Sequence, residues 1–351
     1  MLPAGGCVLW AAAVTAGAMW VRVLGQWEAA LTMAGGSFLS GSTPLGGGAV
    51  AFPVLTKVLE VPAPLARTFG LSVQAVGMTM AVLSVVARGG RLHGPALRVA
   101  VPSGVAGLVA GLWLLGDPGA ALWPPLFATA WVKAAVTVAL STVALFMVGR
   151  LRRPGTHVEV PWGTAGRLAV GAAALVGGVL SAVAGTGANL AVFVVLVVVL
   201  GVDVRRALPT SVAVMATVSV VGLVVVGLID GQLDVVVVGD RVMAVGGDPV
   251  GLPSARADVV AMWLAALPVV MWGAPLGAWV ASRVDERALV RAVAALATVE
   301  VVSTFAVVED LRGSASMLAA TISGIVVVPS AVVALRTRWG TGRVSVRTGS
   351  G

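Results

Sequence analysis

The sequence predicts an all-α integral membrane protein, with about eight crossing helices and two re-entrant, broken helical hairpins arranged as an inverted internal repeat. Three observations predict it. First, 58% of the 351 residues are apolar, only 11% are charged and the mean hydropathy is +1.02, whereas an ordinary soluble domain carries about 25% charged residues. Second, apolar runs of 18 or more residues recur along the chain, each long enough to cross a hydrocarbon layer about 30 Å thick. Third, two of these runs are too long for one crossing, are interrupted by glycine and small polar residues, and resemble each other at a fixed offset.

In chain order the apolar segments are about 4 to 23, 29 to 59, 66 to 87, 96 to 115, 124 to 149, 165 to 200, 207 to 229, 258 to 281, 287 to 308 and 315 to 335. They are solid runs rather than short alternating ones, so they read as helices and not barrel strands. The first has a short apolar stretch and small residues at Ala16 to Ala18, but no basic residue precedes it, so it reads as a retained flanking helix over 1–28 rather than a cleaved signal. The interruptions fall at Ser42 to Gly48 and at Ala184 to Asn189. Such breaks free backbone groups, which is tolerable at membrane depth only where protein or a wet cavity surrounds them. A shift of 141 residues superposes Gly36 on Gly177, Ser40 on Ser181, Gly46 on Gly187 and Phe52 on Phe193; a one-residue slip brings Thr68 onto Thr210. The halves are therefore 29–150 and 165–308, followed by a flanking helix over 309–335 and a basic tail over 336–351 with no apolar face, read as disordered.

Between Ile229 and Asp258 lies an acidic loop (230–257). Its Leu233 to Val245 reads as a small β-hairpin turning at Gly239-Asp240.

Charge sets the topology, because Lys and Arg accumulate on the cytoplasmic side. If all ten segments cross, the basic residues divide 11 against 12; with the two interrupted segments re-entrant, they divide 16 inside against 7 outside. The second arrangement puts both termini in the cytoplasm and the acidic loop outside. Each half then has three crossings, an odd number, which inverts the second half relative to the first. Paired discontinuous segments in inverted halves mark a transporter's central site.

The residues at these breaks also resemble a known family. Gly46-Gly47-Gly48, then Thr68-Phe69-Gly70-Leu71-Ser72-Val73-Gln74, then Pro209-Thr210-Ser211-Val212, with Trp263 to Ala266 and Gly273 to Gly277, are similar to the TauE/SafE sulfite exporter family of bacterial anion transporters. The resemblance covers about 29 to 308 and implies transport of small organic or sulfur-containing anions across the cell membrane. Gly185-Thr186-Gly187 replaces the second glycine triplet, and the 230–257 loop is longer than the family pattern suggests.

Glycines at a hairpin tip let backbone N–H groups point inward beside helix N-termini, which makes an anion site without a full cation. The candidate substrate-binding residues are Thr43, Gly46, Gly47, Gly48, Thr68, Gln74, Gly185, Thr186, Gly187, Asn189, Thr210 and Ser211. The glycines equally suit close helix packing, and the hydroxyls can bond back to their own turns. Gln74 and Asn189 stand out, because a primary amide is harder to satisfy within one helix. Glu300 is the carboxylate near a helix midpoint; an ionised, unpaired carboxylate there costs several kcal/mol, so it is the candidate to carry a coupled proton.

A passive channel lined by the same loops is the alternative reading. A membrane enzyme is disfavoured because no nucleophile, acid-pair or metal-ligand constellation is present and His93 and His157 fall in loops. No cofactor, metal site, nucleotide-binding motif or nucleic-acid partner is expected, Cys7 being the single cysteine. The expected partners are the bilayer, a small anion and protons, and assembly with further copies of itself stays open. The topology predicts that single cysteines replacing Glu28 and Glu60, in a Cys7→Ser background, both react with an impermeant thiol reagent from outside intact cells. Reaction from opposite faces would end the re-entrant reading.

Overall fold

The computed structural model describes residues 2–115, 162–229, 235–238, 241–244, 257–307 and 313–340, with a few helical positions between 134 and 146. Helices dominate. The first apolar segment is not one helix: α1 (Leu2–Ala16) and α2 (Trp20–Leu24) are separated where Ala18 takes φ +50°. At 15 residues α1 is about 22 Å long, short of a crossing. α3 (Trp27–Ser42) and α4 (Gly48–Lys57) form the first broken segment, followed by α5 (Ala63–Ala87) and α6 (Gly94–Leu115). The second broken segment is α7 (Thr164–Ala184) and α8 (Ala188–Val194), which loosens into a π-helical turn over Val195–Val199. α9 (Val204–Gly222) likewise ends in a π-helical stretch over Leu223–Ile229, and α10 (Val259–Arg283), α11 (Glu286–Val307) and α12 (Ala315–Gly340) follow. α12 continues to Gly340, so the basic tail starts later than Arg336.

Among the described residues five stretches are long and apolar enough to cross a membrane: Leu65–Ala87, Gly94–Trp113, Thr164–Ala184, Val204–Val226 and Val259–Arg283. The expected β-hairpin is present. β1 (Val235–Val238) pairs antiparallel with β2 (Arg241–Ala244), Val238 opposite Arg241, and β3 (Ala257–Asp258) joins the other edge of β1.

Packing falls into matched sets. α6 lies along α7 as α10 lies along α3, each hairpin's limbs touch each other, and α5 meets α9 in the middle. Two apolar cores follow this division. One joins α3, α4, α5 and the start of α10 through Met33, Phe52, Leu55, Phe69 and Met262. The other joins α6 to α9 through Leu108, Val170, Phe193, Leu196 and Met215.

The two long seams are closed by glycine. A Cβ at Gly107 would stand 2.0 Å from the Leu175 carbonyl oxygen and one at Gly178 2.1 Å from that of Gly104. On the other seam, a Cβ at Gly277 would stand 2.0 Å from the Phe38 oxygen and one at Gly41 1.9 Å from the Ala274 oxygen. Lipid is as apolar as the helices, so such close van der Waals approach is what associates them.

The N-terminal segment repairs α10. Pro268 has no N–H, so the Leu264 carbonyl four residues earlier loses its helical donor, and the indole N–H of Trp10 supplies one at 2.7 Å. At the start of α10, Asp258 accepts from the Ala261 N–H at 3.0 Å with one oxygen and from Arg22 Nε at 2.8 Å with the other.

The ends of the two broken segments lie at opposite ends of the bundle. Glu28, Ala29, Leu59 and Val61 line one small cavity together with Met262, so the first segment begins and finishes at the same end, near Asp258. At the other end Trp162 packs on His93 with ring centroids 5.0 Å apart, and Gly166 lies against Leu200. The second segment therefore begins and finishes beside the α5–α6 loop, which carries Arg88 and Arg91.

The seam geometry gives a paired prediction. Gly277→Ala should lower the midpoint of thermal unfolding in detergent by the equivalent of about 1–3 kcal/mol, as overpacking does. Gly35→Ala, whose Cβ meets nothing within 4 Å, should leave it unchanged or raise it.

Candidate functional site

The two interruptions meet. Gln74 stands near the middle of α5, and its Nε2 donates to the carbonyl of Gly185, in the turn between α7 and α8, and to that of Gly70 at 3.0 Å. Thr186 Oγ1 donates to the Leu45 carbonyl at 3.2 Å, joining the two tips directly across 141 residues of sequence. That separation equals the offset of the internal resemblance.

The backbone at the tips needs glycine. Gly46 has φ +78° and Gly185 φ +68°, a left-handed conformation in which a side chain is strained. Space demands it as well. A Cβ on Gly46 would lie 2.9 Å from both Asn189 Nδ2 and Gln74 Oε1, and 2.8 Å from the Met78 methyl. One on Gly48 would lie 2.4 Å from Gln74 Nε2 and 3.1 Å from the Gly185 oxygen, and one on Gly185 2.7 Å from the Arg67 oxygen. Gly46, Gly48, Gln74, Gly185, Thr186 and Asn189 thus form one cluster.

Its polar atoms are only partly satisfied. Asn189 is wholly buried, and neither its Nδ2 nor its Oδ1 has a partner among the described residues. Gln74 Oε1 is also buried without one. An unpartnered buried polar group costs about 1–3 kcal/mol, and here two of the three such amide atoms, Asn189 Nδ2 and Gln74 Oε1, flank a single glycine. α4 and α8 both begin beside the cluster, where the Ala188 N–H is taken by Ser181 Oγ and the Val50 and Ala51 N–H groups by the Gly47 carbonyl.

The remaining predicted residues divide. Thr43 donates to the Leu39 carbonyl at 2.8 Å and accepts from the Leu45 N–H, shaping the first turn. Gly47 packs against Met33, the Gly36 oxygen and Ser40, and Gly187 (φ +144°) against Leu180 and the Gly177 oxygen. Thr68 is buried in α5, its carbonyl accepting from Ser72. Thr210 is engaged away from the tips: it accepts from the His93 N–H at 2.8 Å and donates to the Arg206 carbonyl, tying α9 to the start of α6. Ser211 bonds back to Leu208. Glu300 lies on α11, and its side chain is outside the described residues.

Three residues with no expected role contribute. Ser181 Oγ accepts from the Ala188 N–H at 3.1 Å and donates to the Gly177 carbonyl, stapling the second turn. Its counterpart Ser40 is buried beside Gly47 with its hydroxyl unpartnered among the described residues. The alignment of the halves superposes these serines, which was the available signal. Arg67 is buried in α5 and donates to the Ala182 carbonyl at 3.2 Å, placing a cation against the C-terminus of α7.

Residues 29–304 match the family described as Sulfite exporter TauE/SafE. The match covers well over half of the chain, which therefore belongs to this family of membrane transporters, and the long apolar helices agree with a multi-pass membrane protein. No curated protein and no solved structure matches the chain.

The orphaned amide gives a stability prediction. Asn189→Leu removes two unsatisfied polar atoms at similar volume, so the ligand-free protein should unfold at a higher temperature, by the equivalent of about 1–3 kcal/mol. Gln74→Leu loses the bond to Gly185 and should unfold at a lower one. A destabilised Asn189→Leu protein would mean that the amide is satisfied within the fold.

Proposed function

We propose that the protein is a secondary transporter of a small sulfur-containing or organic anion of the sulfite or sulfonate type, bound between the two tips and carried by alternating access of inverted halves. The observation that carries this reading is the cluster of unpartnered buried amide atoms around Gly46, at the point where both broken segments reverse. A structural core has no use for three such atoms, whereas a ligand does.

The inverted repeat is supported by the matched helix pairings and by broken segments that start from opposite ends. Eight crossings require α1 and α2 to span the bilayer together across the turn at Ala18; with the arginine-rich end in the cytoplasm, both termini are then cytoplasmic and the membrane is the cell membrane. Opposed orientation lets one half rock against the other around a fixed centre, exposing it first to one side and then to the other.

The donor and acceptor balance also bears on the cargo. Asn189 Nδ2 donates to an anion oxygen. Asn189 Oδ1 and Gln74 Oε1 are acceptors, and a fully deprotonated anion leaves both unsatisfied. A protonated oxyanion such as hydrogensulfite offers an O–H as well as acceptor oxygens. Proton coupling follows naturally, with Glu300 as the second proton carrier.

Sulfite counterflow in proteoliposomes tests the reading: trans-loaded sulfite should accelerate labelled sulfite uptake saturably, and non-saturable flux would favour a channel. Glu300→Gln should retain this exchange while net transport driven by a pH gradient collapses. Gradient-driven transport at the wild-type rate would reduce Glu300 to a structural polar residue.

A further inference from the structure

A cavity of about 330 Å³ lies between the C-terminal half of α5, the start of α9, the end of α10 and the start of α11. Its mouth carries Arg91, Arg205 and Arg206, all exposed, together with Asp203. Its floor reaches Gly41, Ala81 and Val212. We propose that this cavity is an anion-collecting vestibule for small oxyanions, through which the site at the hairpin tips communicates with the arginine-rich end of the protein. The inference rests on the transport reading for its purpose, but its electrostatics are independent of it.

The path is written along one face of α5. Gln74, Met78, Ala81, Val82 and Val85 recur at helical spacing, so they share a face. Gln74 is in the tip cluster, the Met78 methyl abuts Gly46, and the other three line the cavity. Met78, fully buried, is therefore the side chain of this face that separates vestibule from tips. On the opposite wall Gly41 stands two residues before Thr43, at the end of α3, and it too belongs to the floor.

The charge is assembled from separate parts of the chain. Arg91 comes from the α5–α6 loop, while Arg205 and Arg206 come from the first turn of α9. Arg205 donates to the Ser282 and Val284 carbonyls at 3.4 and 3.2 Å, which holds it at the end of α10. The one carboxylate on the lining, Asp203, caps α9 by accepting from the Arg205 N–H at 2.8 Å. Three guanidinium groups against one carboxylate leave the mouth positive. A cleft of one sign with low-dielectric walls concentrates counter-ions, and the volume is in the range of small-molecule sites.

Thiol reactivity tests this without any transported substrate. In a Cys7→Ser background, Val212→Cys or Ala81→Cys places a thiol on the floor. Two impermeant methanethiosulfonate reagents, one bearing a sulfonate and one a trimethylammonium, are applied to each face of membrane vesicles. The sulfonate should react faster, and from the arginine-rich face alone. The ratio of the two rates should fall about tenfold on Arg91→Gln/Arg206→Gln substitution, and it should also fall at high salt. A ratio indifferent to both, or floor thiols that stay unreactive in both well-folded variants, overturns the vestibule. Loss of sulfite counterflow with the ratio intact overturns the transport reading alone.

Discussion

Backbone groups freed inside a membrane have no water to turn to, and this constraint governs the structure. Each broken segment would leave several N–H and C=O groups at mid-depth, each costing several kcal/mol if unmet. The protein meets them by bringing the two breaks together. Gln74 from the first half takes the Gly185 carbonyl of the second, Thr186 of the second takes the Leu45 carbonyl of the first, and Ser181 and Arg67 close the turn between α7 and α8. Neither turn is self-sufficient. Contact at this range excludes side chains at Gly46, Gly48 and Gly185, so the glycines follow from the bonding rather than from any need for flexibility.

The same proximity propagates outward. For the tips to touch, α3 and α7 must be held at fixed depth, and each is gripped by one long helix, α10 or α6, through seams where glycines let carbonyl oxygens approach within van der Waals distance. α10 bears further demands, since Pro268 deprives it of a hydrogen bond and its start must be capped near the acidic end. α1 and α2 meet both, through Trp10 on the Leu264 carbonyl and Arg22 on Asp258. The N-terminal segment is thus part of the scaffold that positions the first tip, although it lies outside the duplicated region.

Among the described residues, run length located the helices that follow the first segment, because an apolar run of membrane length has few alternative structures, whereas the 124–149 run lies mostly outside them. The two breaks were legible because both interrupt long apolar runs with glycine and small polar residues, and the structure joins them through the Leu45–Thr186 hydrogen bond. The first segment was misread. α1 ends in a local turn, with Ala18 at positive φ and the Met19 N–H donating to the Val14 carbonyl at 3.0 Å, and Gly17 beside it is the sequence sign of that turn. Of the expected site residues, Gln74 bonds back to Gly70 but needs Gly185 as well, and Asn189 finds no side-chain partner among the described residues, in keeping with an amide being hard to satisfy within one turn. The role of Thr210 was not legible, because its partner is the backbone of His93, 117 residues away, and one sequence carries no mark of such a bond. Nor does one sequence mark that Arg67 faces the Ala182 carbonyl at the C-terminus of α7, 115 residues away.

Each broken segment packs along one long helix in the same way, but the chemistry at their meeting point differs between the two. The one-residue slip that pairs Thr68 with Thr210 would put Ala216 opposite Gln74, and the 141-residue offset puts Gly48 opposite Asn189. Each half thus supplies one amide that the other lacks. Two symmetric amides could bond to each other and close the site permanently. Among the described residues the asymmetric pair instead leaves Asn189 with both ends open and Gln74 with one, because the other end of Gln74 is committed to holding the tips together. The residue that joins the halves is therefore also one that presents an acceptor to whatever lies between them, so occupancy of the centre and the packing of the two halves bear on the same side chain.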